Sequence, residues 1–265
     1  MEYVEYPIAD VLKPFVKVIW SMDSDAALPA GSPMRILPDT CVELVFHYKD
    51  PYQTTFSDTS VAVQPRSMVV AQMKRFIEIA PRGKTGIFAA RFSAVGAYHF
   101  FSVPMKEIAN RETGLTYVWR ELADELEEKL LCAESNDERS EILQHYLRIQ
   151  LSRNGYADRV IEFCLAEITR SHGQATVDDL ARKSGLSNRQ LLRRFDKCVG
   201  LSPKEFARIR KFIHALDTIN SRPNTSFTET AYRAGYYDQA HFIHDFRKLS
   251  GMTPSEYAAS RNVVY

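Results

Sequence analysis

Arg189, Gln190, Leu192 and Arg193 sit in the run Asn188-Arg189-Gln190-Leu191-Leu192-Arg193-Arg194-Phe195-Asp196-Lys197. At helical spacing, Leu191 and Phe195 share one face, which the stem of Arg194 borders. Arg189, Leu192 and Arg193 share the opposite face, with Gln190 near its start. Arginine can give two hydrogen bonds to guanine O6 and N7, and glutamine can bridge adenine N6 and N7. A second run, Gln239 to Lys248, repeats the plan. Phe242 and Phe246 face inward, and Gln239, Ala240, Ile243 and His244 face outward. Ser187, Asn188, Lys197, Arg247 and Lys248 fall at the ends of the two runs, where side chains and helix termini meet phosphates. The chemistry these faces offer is the reading of base edges in duplex DNA.

A different set lies near the N-terminus. In the run Cys41 to Tyr48, Glu43 and His47 share a strand face with Cys41 and Val45, while Val42, Leu44, Phe46 and Tyr48 share the other. A strand apolar on both faces is covered on both sides, so Glu43 and His47 need partners. Arg35 or Arg91 can pair with Glu43, either as a structural ion pair or as part of a ligand cage of Arg35, Glu43, His47 and Arg91. Glu43, His47, Asp39 and His99 could also form an enzymatic acid/base site. No H-x-H, H-E-x-x-H, G-x-S-x-G or phosphate-cradling glycine loop supports that reading, so no catalytic residue, metal or cofactor is expected. Cys41, Cys132, Cys164 and Cys198 are scattered without zinc spacing and read as buried free thiols.

The elements that position the two outward faces are written twice. Thr176-Val177-Asp178-Asp179-Leu180-Ala181 matches Ser226-Phe227-Thr228-Glu229-Thr230-Ala231, and each run reaches a glycine, Gly185 or Gly235. Beyond it, Phe195 matches Phe246, Gly200-Leu201-Ser202-Pro203 matches Gly251-Met252-Thr253-Pro254, and Phe206 matches Tyr257. The offset rises from 50 to 51 across the glycine, which places one inserted residue in the turn. Each copy reads as helix, glycine turn, second helix, the unit that lays its second helix in the major groove. Thr176-x-x-Asp179 approximates a capping box, Ser226-x-x-Glu229 matches one, and Ser187 caps the first reading helix with Gln190 three residues on. Pro203 to Asn220 reads as one long helix joining the copies, with Lys204, Arg208, Arg210 and Lys211 along it.

The 265 residues are 45% hydrophobic and 25% charged, long enough for about two domains. Residues 1–170 carry 19 Lys and Arg against 24 Asp and Glu, a balance of −5, whereas residues 171–265 carry 15 against 9, a balance of +6. The basic end suits nucleic acid. No apolar run is long enough to span a membrane and Met1 to Glu5 does not resemble a signal peptide, so a cytoplasmic protein is expected.

The expected fold class is α+β. Residues 1–152 form a β-rich sandwich or barrel with a C-terminal helical pair. Its strands are expected at Phe15–Trp20, Arg35–Leu37, Cys41–Tyr48, Val61–Val63, Ser67–Met73, Phe76–Ile79 and Thr85–Phe92, followed by helices at Ala94–Phe101, Tyr117–Leu131 and Glu138–Leu151. Residues 156–260 form an all-α domain, opened by a helix at Tyr156–Ser171, with two helix-turn-helix units joined by the long helix. The flexible joint is placed at Ser152 to Gly155. The stripes Leu122, Leu126, Leu130 and Ile142, Tyr146, Ile149 of the helical pair suggest a homodimer formed through it.

Residues from about Tyr156 to Tyr257 resemble the DNA-binding domain of the AraC family of bacterial transcription regulators. The resemblance rests on Leu180-Ala181-x3-Gly185-Leu186-Ser187-x3-Leu191-x3-Phe195, on Gly200-x-Ser202-Pro203, on Ala231-x3-Gly235-Tyr236-x2-Gln239-x2-Phe242-x3-Phe246 and on Gly251-x-Thr253-Pro254-x2-Tyr257. It implies base reading by Arg189, Leu192 and Arg193 and by Gln239, Ala240, Ile243 and His244. His244 stands where many members carry arginine, which implies a weaker or pH-sensitive second contact. Arg35 to Phe46 resembles a motif of an uncharacterised N-terminal domain on some such regulators, which implies effector sensing. The partners implied are a double-stranded DNA operator, RNA polymerase and a small-molecule effector. The alternative is a DNA-binding scaffold without ligand control.

Overall fold

Period-two runs in the first third of the chain fold into two facing sheets. The computed structural model describes residues 2–25, 33–154, 157–260 and 263–264. Six strands make the first sheet in the order β1 (Glu2–Tyr6), β2 (Val16–Ser24), β9 (Thr85–Phe92), β4 (Val42–His47), β7 (Ser67–Val70) and β10 (Glu112–Gly114). The second sheet has the order β11 (Val263–Val264), β3 (Met34–Ile36), β8 (Ile77–Ala80), β5 (Gln53–Phe56) and β6 (Val61–Val63). Strand β4 lies near the centre of the first sheet, with Glu43 opposite Arg91 and His47 opposite Ile87. Its two faces divide as alternation requires. Leu44 and Phe46 join Phe88, Ala90 and Phe92 in the main core, and Val45 packs with Tyr52, Met68, Ile87 and Ala89 in a smaller second cluster. The strand is covered on both sides, as its composition implies.

Four strands carry no strong local signal. β1 is largely exposed, β5 is the polar run Gln-Thr-Thr-Phe, and β10 has only three residues. β11 has two residues and pairs in parallel with β3, bringing the C-terminal end of the chain back to the N-terminal sheets.

The helices that follow depart from expectation in three ways. A 3-10 turn at Ala97–His99 replaces the helix expected over Ala94–Phe101, and α1 (Met105–Ile108) follows it. The helix expected over Tyr117–Leu131 is two, α2 (Leu115–Trp119) and α3 (Glu121–Cys132), broken at Arg120 with φ 51°. The break coincides with the burial of Trp119, whose Nε1 donates to the Phe100 carbonyl at 2.8 Å. The third departure concerns the expected dimer surface. Leu126 and Leu130 of α3 and Leu143, Tyr146 and Leu147 of α4 (Asn136–Asn154) are buried in the main core, with Leu122 and Ile142 packed at its edge. The apolar stripes thus cover the sheet within one chain, and the face α3 leaves to solvent is dominated by Glu121, Asp124, Glu125 and Glu128. Cys132 is also exposed, whereas Cys41, Cys164 and Cys198 are buried as expected.

The C-terminal region is helical: α5 (Arg159–Arg170), α6 (Val177–Ser184), α7 (Asn188–Cys198), α8 (Pro203–Ser221), α9 (Phe227–Arg233), α10 (Gln239–Ser250) and α11 (Pro254–Ala259). Ser152 to Asn154 of the expected joint continue α4 as helix, and Gly155, its end, lies outside the described residues with Tyr156, the expected start of the next helix. On either side of them the two regions are tied together. The Asp158 N–H donates to the Tyr98 hydroxyl at 2.9 Å, Phe76 N–H to the Leu249 carbonyl at 2.8 Å, and Arg35 Nη1 to the Ser250 carbonyl at 3.1 Å. Lys106 pairs with Asp196 at 2.6 Å and Lys74 with Glu205 at 2.8 Å.

Candidate nucleic-acid interface

Two helix pairs, α6–α7 and α9–α10, are built on matching caps and turn bonds. Thr176 caps α6 by accepting from Asp179 N–H, and Ser226 caps α9 by accepting from Glu229 N–H. Gly185 and Gly235 adopt φ of 69° and 78°, the left-handed turn that glycine permits at low cost. Leu186 N–H then donates to the Ala181 carbonyl at 3.0 Å, and Tyr236 N–H to the Ala231 carbonyl at 2.9 Å. Ser187 caps α7 and Asp238 caps α10. Leu186 and Tyr236 differ by 50 positions, Ser187 and Asp238 by 51, so the inserted residue is Tyr237. Its ring is 86% exposed, which explains why the insertion leaves the packing of the second unit intact.

Each unit is also cross-tied near the start of its second helix. Asn188 Nδ2 donates to Asp178 Oδ1 at 2.8 Å, and Thr228 Oγ1 donates to Gln239 Oε1 at 2.7 Å. These pairs occupy equivalent repeat positions. They hold the second helix at a set angle to the first before any DNA arrives.

The outward faces are open. Arg189, Arg193, Gln239, Ala240 and His244 are exposed, and Leu192 is 43% exposed. Arg247 and Lys248 are exposed in the last turn of α10. Ile243 is only half-buried, because it packs against the main core. Gln190 is exposed but engaged: its Oε1 accepts from Ser187 N–H at 2.9 Å and from the Ser187 hydroxyl at 3.0 Å, completing a capping box. While the cap stays closed, the Ser187 hydroxyl is engaged and Gln190 offers only its amide N–H donors. Gln239 has likewise committed its oxygen and keeps its amide N–H donors. The box expected at Ser226 is half-made, because Glu229 turns to Arg233, which donates to Glu229 Oε1 from Nε at 2.9 Å and from Nη2 at 2.7 Å.

The long α8 has its own complete capping box from Ser202 and Glu205. Of the basic residues along it, Arg208 and Lys211 turn to the second unit rather than to solvent. Arg208 Nε donates to Asp245 Oδ1 at 2.6 Å, Asp245 Oδ2 accepts from the Tyr236 hydroxyl at 3.3 Å, and Lys211 Nζ donates to the Gly235 carbonyl at 3.1 Å. The first unit is fixed through Asp158, which caps α5 and accepts twice from Arg194 Nη1, at 2.8 and 2.9 Å. Phe195, Phe206, Phe212, Phe242 and Phe246 fill the core between the units.

The expected ligand cage in the β-rich region does not form. Arg91 pairs with Asp39 and lies 3.6 Å from Glu43, forming a structural ion-pair cluster. Burial still pushes the Glu43 carboxyl up, against the pull of Arg91. Arg35 lies in the other sheet and pairs with Glu78. His47 is 1% exposed, stacks on Tyr52 at 5.8 Å, and neither ring nitrogen has a hydrogen-bond partner among the described residues. The void beside it is about 10 Å³, no more than a water's space. His99 instead stacks on Tyr98 at 4.1 Å and meets Phe15 in a tilted ring contact at 4.6 Å. Among the described residues no group of three His, Cys, Asp or Glu side chains is placed to hold a metal ion.

Burial lowers the His47 pKa from 6.5 to about 4. The unfolded chain therefore takes up this proton first, so the contribution to stability falls as pH drops from 6.5 toward 4, by on the order of 3 kcal/mol. Urea unfolding at about pH 7 and about pH 5 should show a smaller acid loss in His47→Leu than in the parent. An equal loss in both proteins contradicts this role.

Residues 180–260 match the family described as "Helix-turn-helix domain", and residues 4–113 match "Domain of unknown function (DUF6597)". The chain has no significant match among curated proteins. Among solved structures, ToxT from Vibrio cholerae is similar at 10% identity over 98% of both chains, with a TM-score of 0.47. A probable AraC family transcriptional regulator from Rhodopseudomonas palustris is 25% identical over 38% of this chain and 96% of its own, with a TM-score of 0.35. The C-terminal domain of AraT, a response regulator from Geobacillus stearothermophilus, is 22% identical over 40% of this chain and 89% of its own, with a TM-score of 0.38. No helix among the described residues is long and apolar enough to cross a membrane.

Proposed function

We propose that this chain, which carries an AraC-type helix-turn-helix domain behind an uncharacterised β-rich domain, is a sequence-specific transcription regulator. It reads two successive major-groove segments of an operator and is governed by a small molecule. The observation that carries the reading is the pair of units built alike, the first tied to α5 through Asp158 and the second to α8 through Asp245, each with an open face at the start of its second helix. The 19 residues of α8 span about 28 Å at 1.5 Å per residue. That is close to the roughly 34 Å between successive major-groove turns on one DNA face.

In this reading Arg189, Leu192 and Arg193 read the first segment, and Gln239, Ala240 and His244 the second, with Ile243 at the margin. Arg247, Lys248 and Lys197 approach phosphates. RNA polymerase is the partner through which bound protein would act. A homodimer would double the operator, though through surfaces other than the stripes buried under the sheet.

Selection of bound duplexes from a random pool, followed by footprinting, tests the reading. Two protected major-groove segments about 10 base pairs apart on one face are expected. One segment, or enrichment of no sequence, contradicts it. On the selected operator, Arg193→Ala should cost about 1–3 kcal/mol and relax base choice at one position, because arginine can hold guanine bidentately. His244→Ala should cost less, since a single imidazole contact replaces that fork. A larger loss for His244→Ala across operator variants would reverse the ranking of the two heads.

A further inference from the structure

A short helix of the β-rich region rests against the first reading helix. Met105 and Ile108 of α1 are fully buried. A β-carbon at Gly200, just past the end of α7, would lie 2.7 Å from the Met105 carbonyl oxygen, so the two backbones meet closely there. The helix α7 is held to the same region a second time, because Asp158 joins Arg194 to the Tyr98 hydroxyl. Between α1 and α7 lies a recess of about 380 Å³, lined by Pro104, Lys106, Glu107, Arg193, Asp196 and Lys197.

Within this recess Asp196 has the wrong charge for its place. It stands one position after Phe195, as Arg247 stands one position after Phe246, so the repeat pairs Asp196 of the first unit with Arg247 of the second. It also follows Arg189 by seven residues and Arg193 by three, so it continues the outward stripe of α7. A carboxylate on that stripe opposes the phosphates that Arg193 must approach. Lys106 of α1 meets it, with Nζ 2.6 Å from Asp196 Oδ2. The lysine side chain is 64% exposed and the aspartate 28%, so the cation presents more surface to solvent than the carboxylate it pairs with. Glu107, the other acid of the recess, lies on α1 rather than on the reading helix and accepts from the Tyr117 hydroxyl at 3.1 Å. The second unit thus carries a cation on its own helix at this position, and the first borrows one from the β-rich region.

We propose that Lys106 completes the DNA-facing surface of α7 by neutralising Asp196. The proposal rests on the regulator reading and deepens it, since it makes the affinity of the first head for duplex DNA depend on the seat of α1. Displacing α1 from α7 would bare the carboxylate and weaken binding while Arg189 and Arg193 keep their places. The β-rich region therefore has an electrostatic hold on DNA affinity through one exposed ion pair.

Competition titrations of the full chain on its selected operator test this, with melting temperatures measured on the same preparations. Lys106→Met should weaken operator binding about 3- to 10-fold at low salt, the scale of one uncovered charge several ångströms from a phosphate. The Tm should hold, because an exposed ion pair adds little to stability. Asp196→Asn should bind at least as tightly as the parent. In the Asp196→Asn background, Lys106→Met should cost less than about twofold, because no carboxylate is left to cover. Operator binding that Lys106→Met leaves unchanged overturns the proposal and leaves the regulator reading standing. A loss that persists in full in the Asp196→Asn background also overturns it, since Lys106 would then act on phosphate directly or through the packing of α1. A parent chain that selects no operator removes the regulator reading, and the proposal with it.

Discussion

Replacing Arg189 and Arg193 together with alanine is expected to weaken operator binding about 30- to 10⁴-fold, the sum of two base contacts worth roughly 1–3 kcal/mol each. Stability should change little. Both side chains are exposed and neither makes a hydrogen bond or ion pair among the described residues, so the native fold loses no contact. They also lie one turn apart with like charge, and removing them relieves a small repulsion. The distribution of the loss across sequences is informative. If the arginines read bases, the loss concentrates at one or two base pairs. If they contact phosphate, it is nearly uniform and the salt dependence falls by about one unit per arginine. Competition titrations with single-base operator variants distinguish these cases, and undiminished affinity in the double variant removes α7 from the interface.

The second large effect concerns stability. Asp158 is 4% exposed and does three things at once. Its N–H donates to the Tyr98 hydroxyl, its carboxylate caps α5 at Val160 and Ile161, and both its oxygens accept from Arg194 of α7. Asp158→Ala removes the cap and leaves the Arg194 guanidinium without its acceptor. A loss of about 2–4 kcal/mol is expected, from a lost cap and lost charge-assisted bonds to an Arg194 side chain that is 37% exposed. Asp158→Asn keeps an acceptor for the cap and should lose roughly half as much. Chemical denaturation of the three proteins checks the order. An alanine variant as stable as the parent would mean that α5 and α7 are held by apolar packing alone.

The helical region was largely legible because its signals are local. Caps, glycine turns and apolar pairs at i, i+4 lie within a few residues of one another, and the duplication writes each of them twice. The inserted residue of the second turn was countable from the offset, and only its outward position as Tyr237 needed coordinates. What the spacing could not convey was competition among polar side chains. Gln190 has the chemistry to read adenine, yet its oxygen closes the cap of its own helix. Glu229 has the spacing of a capping box, yet Arg233 four residues on holds it instead.

The β-rich region was legible in class but less so in detail. Strong strands such as β4 and β9 declare themselves through apolar runs, whereas β5, β10 and β11 exist because a partner strand supplies their hydrogen bonds. The four residues of the expected cage do not come together for a related reason. Glu43, His47 and Arg91 do share one sheet face, as alternation implies, but the second sheet covers that face tightly. A cleft of about 980 Å³ lies elsewhere, lined in part by Lys17, His99, Glu162 and Arg210, which no spacing along the chain connects.

If two fixed heads engage duplex DNA through a basic surface, a salt titration of operator binding reads out the phosphates they neutralise. Log affinity should fall linearly with log salt concentration, with a slope of about −4 to −7 as roughly 5–8 phosphates are neutralised. A slope near zero would contradict it.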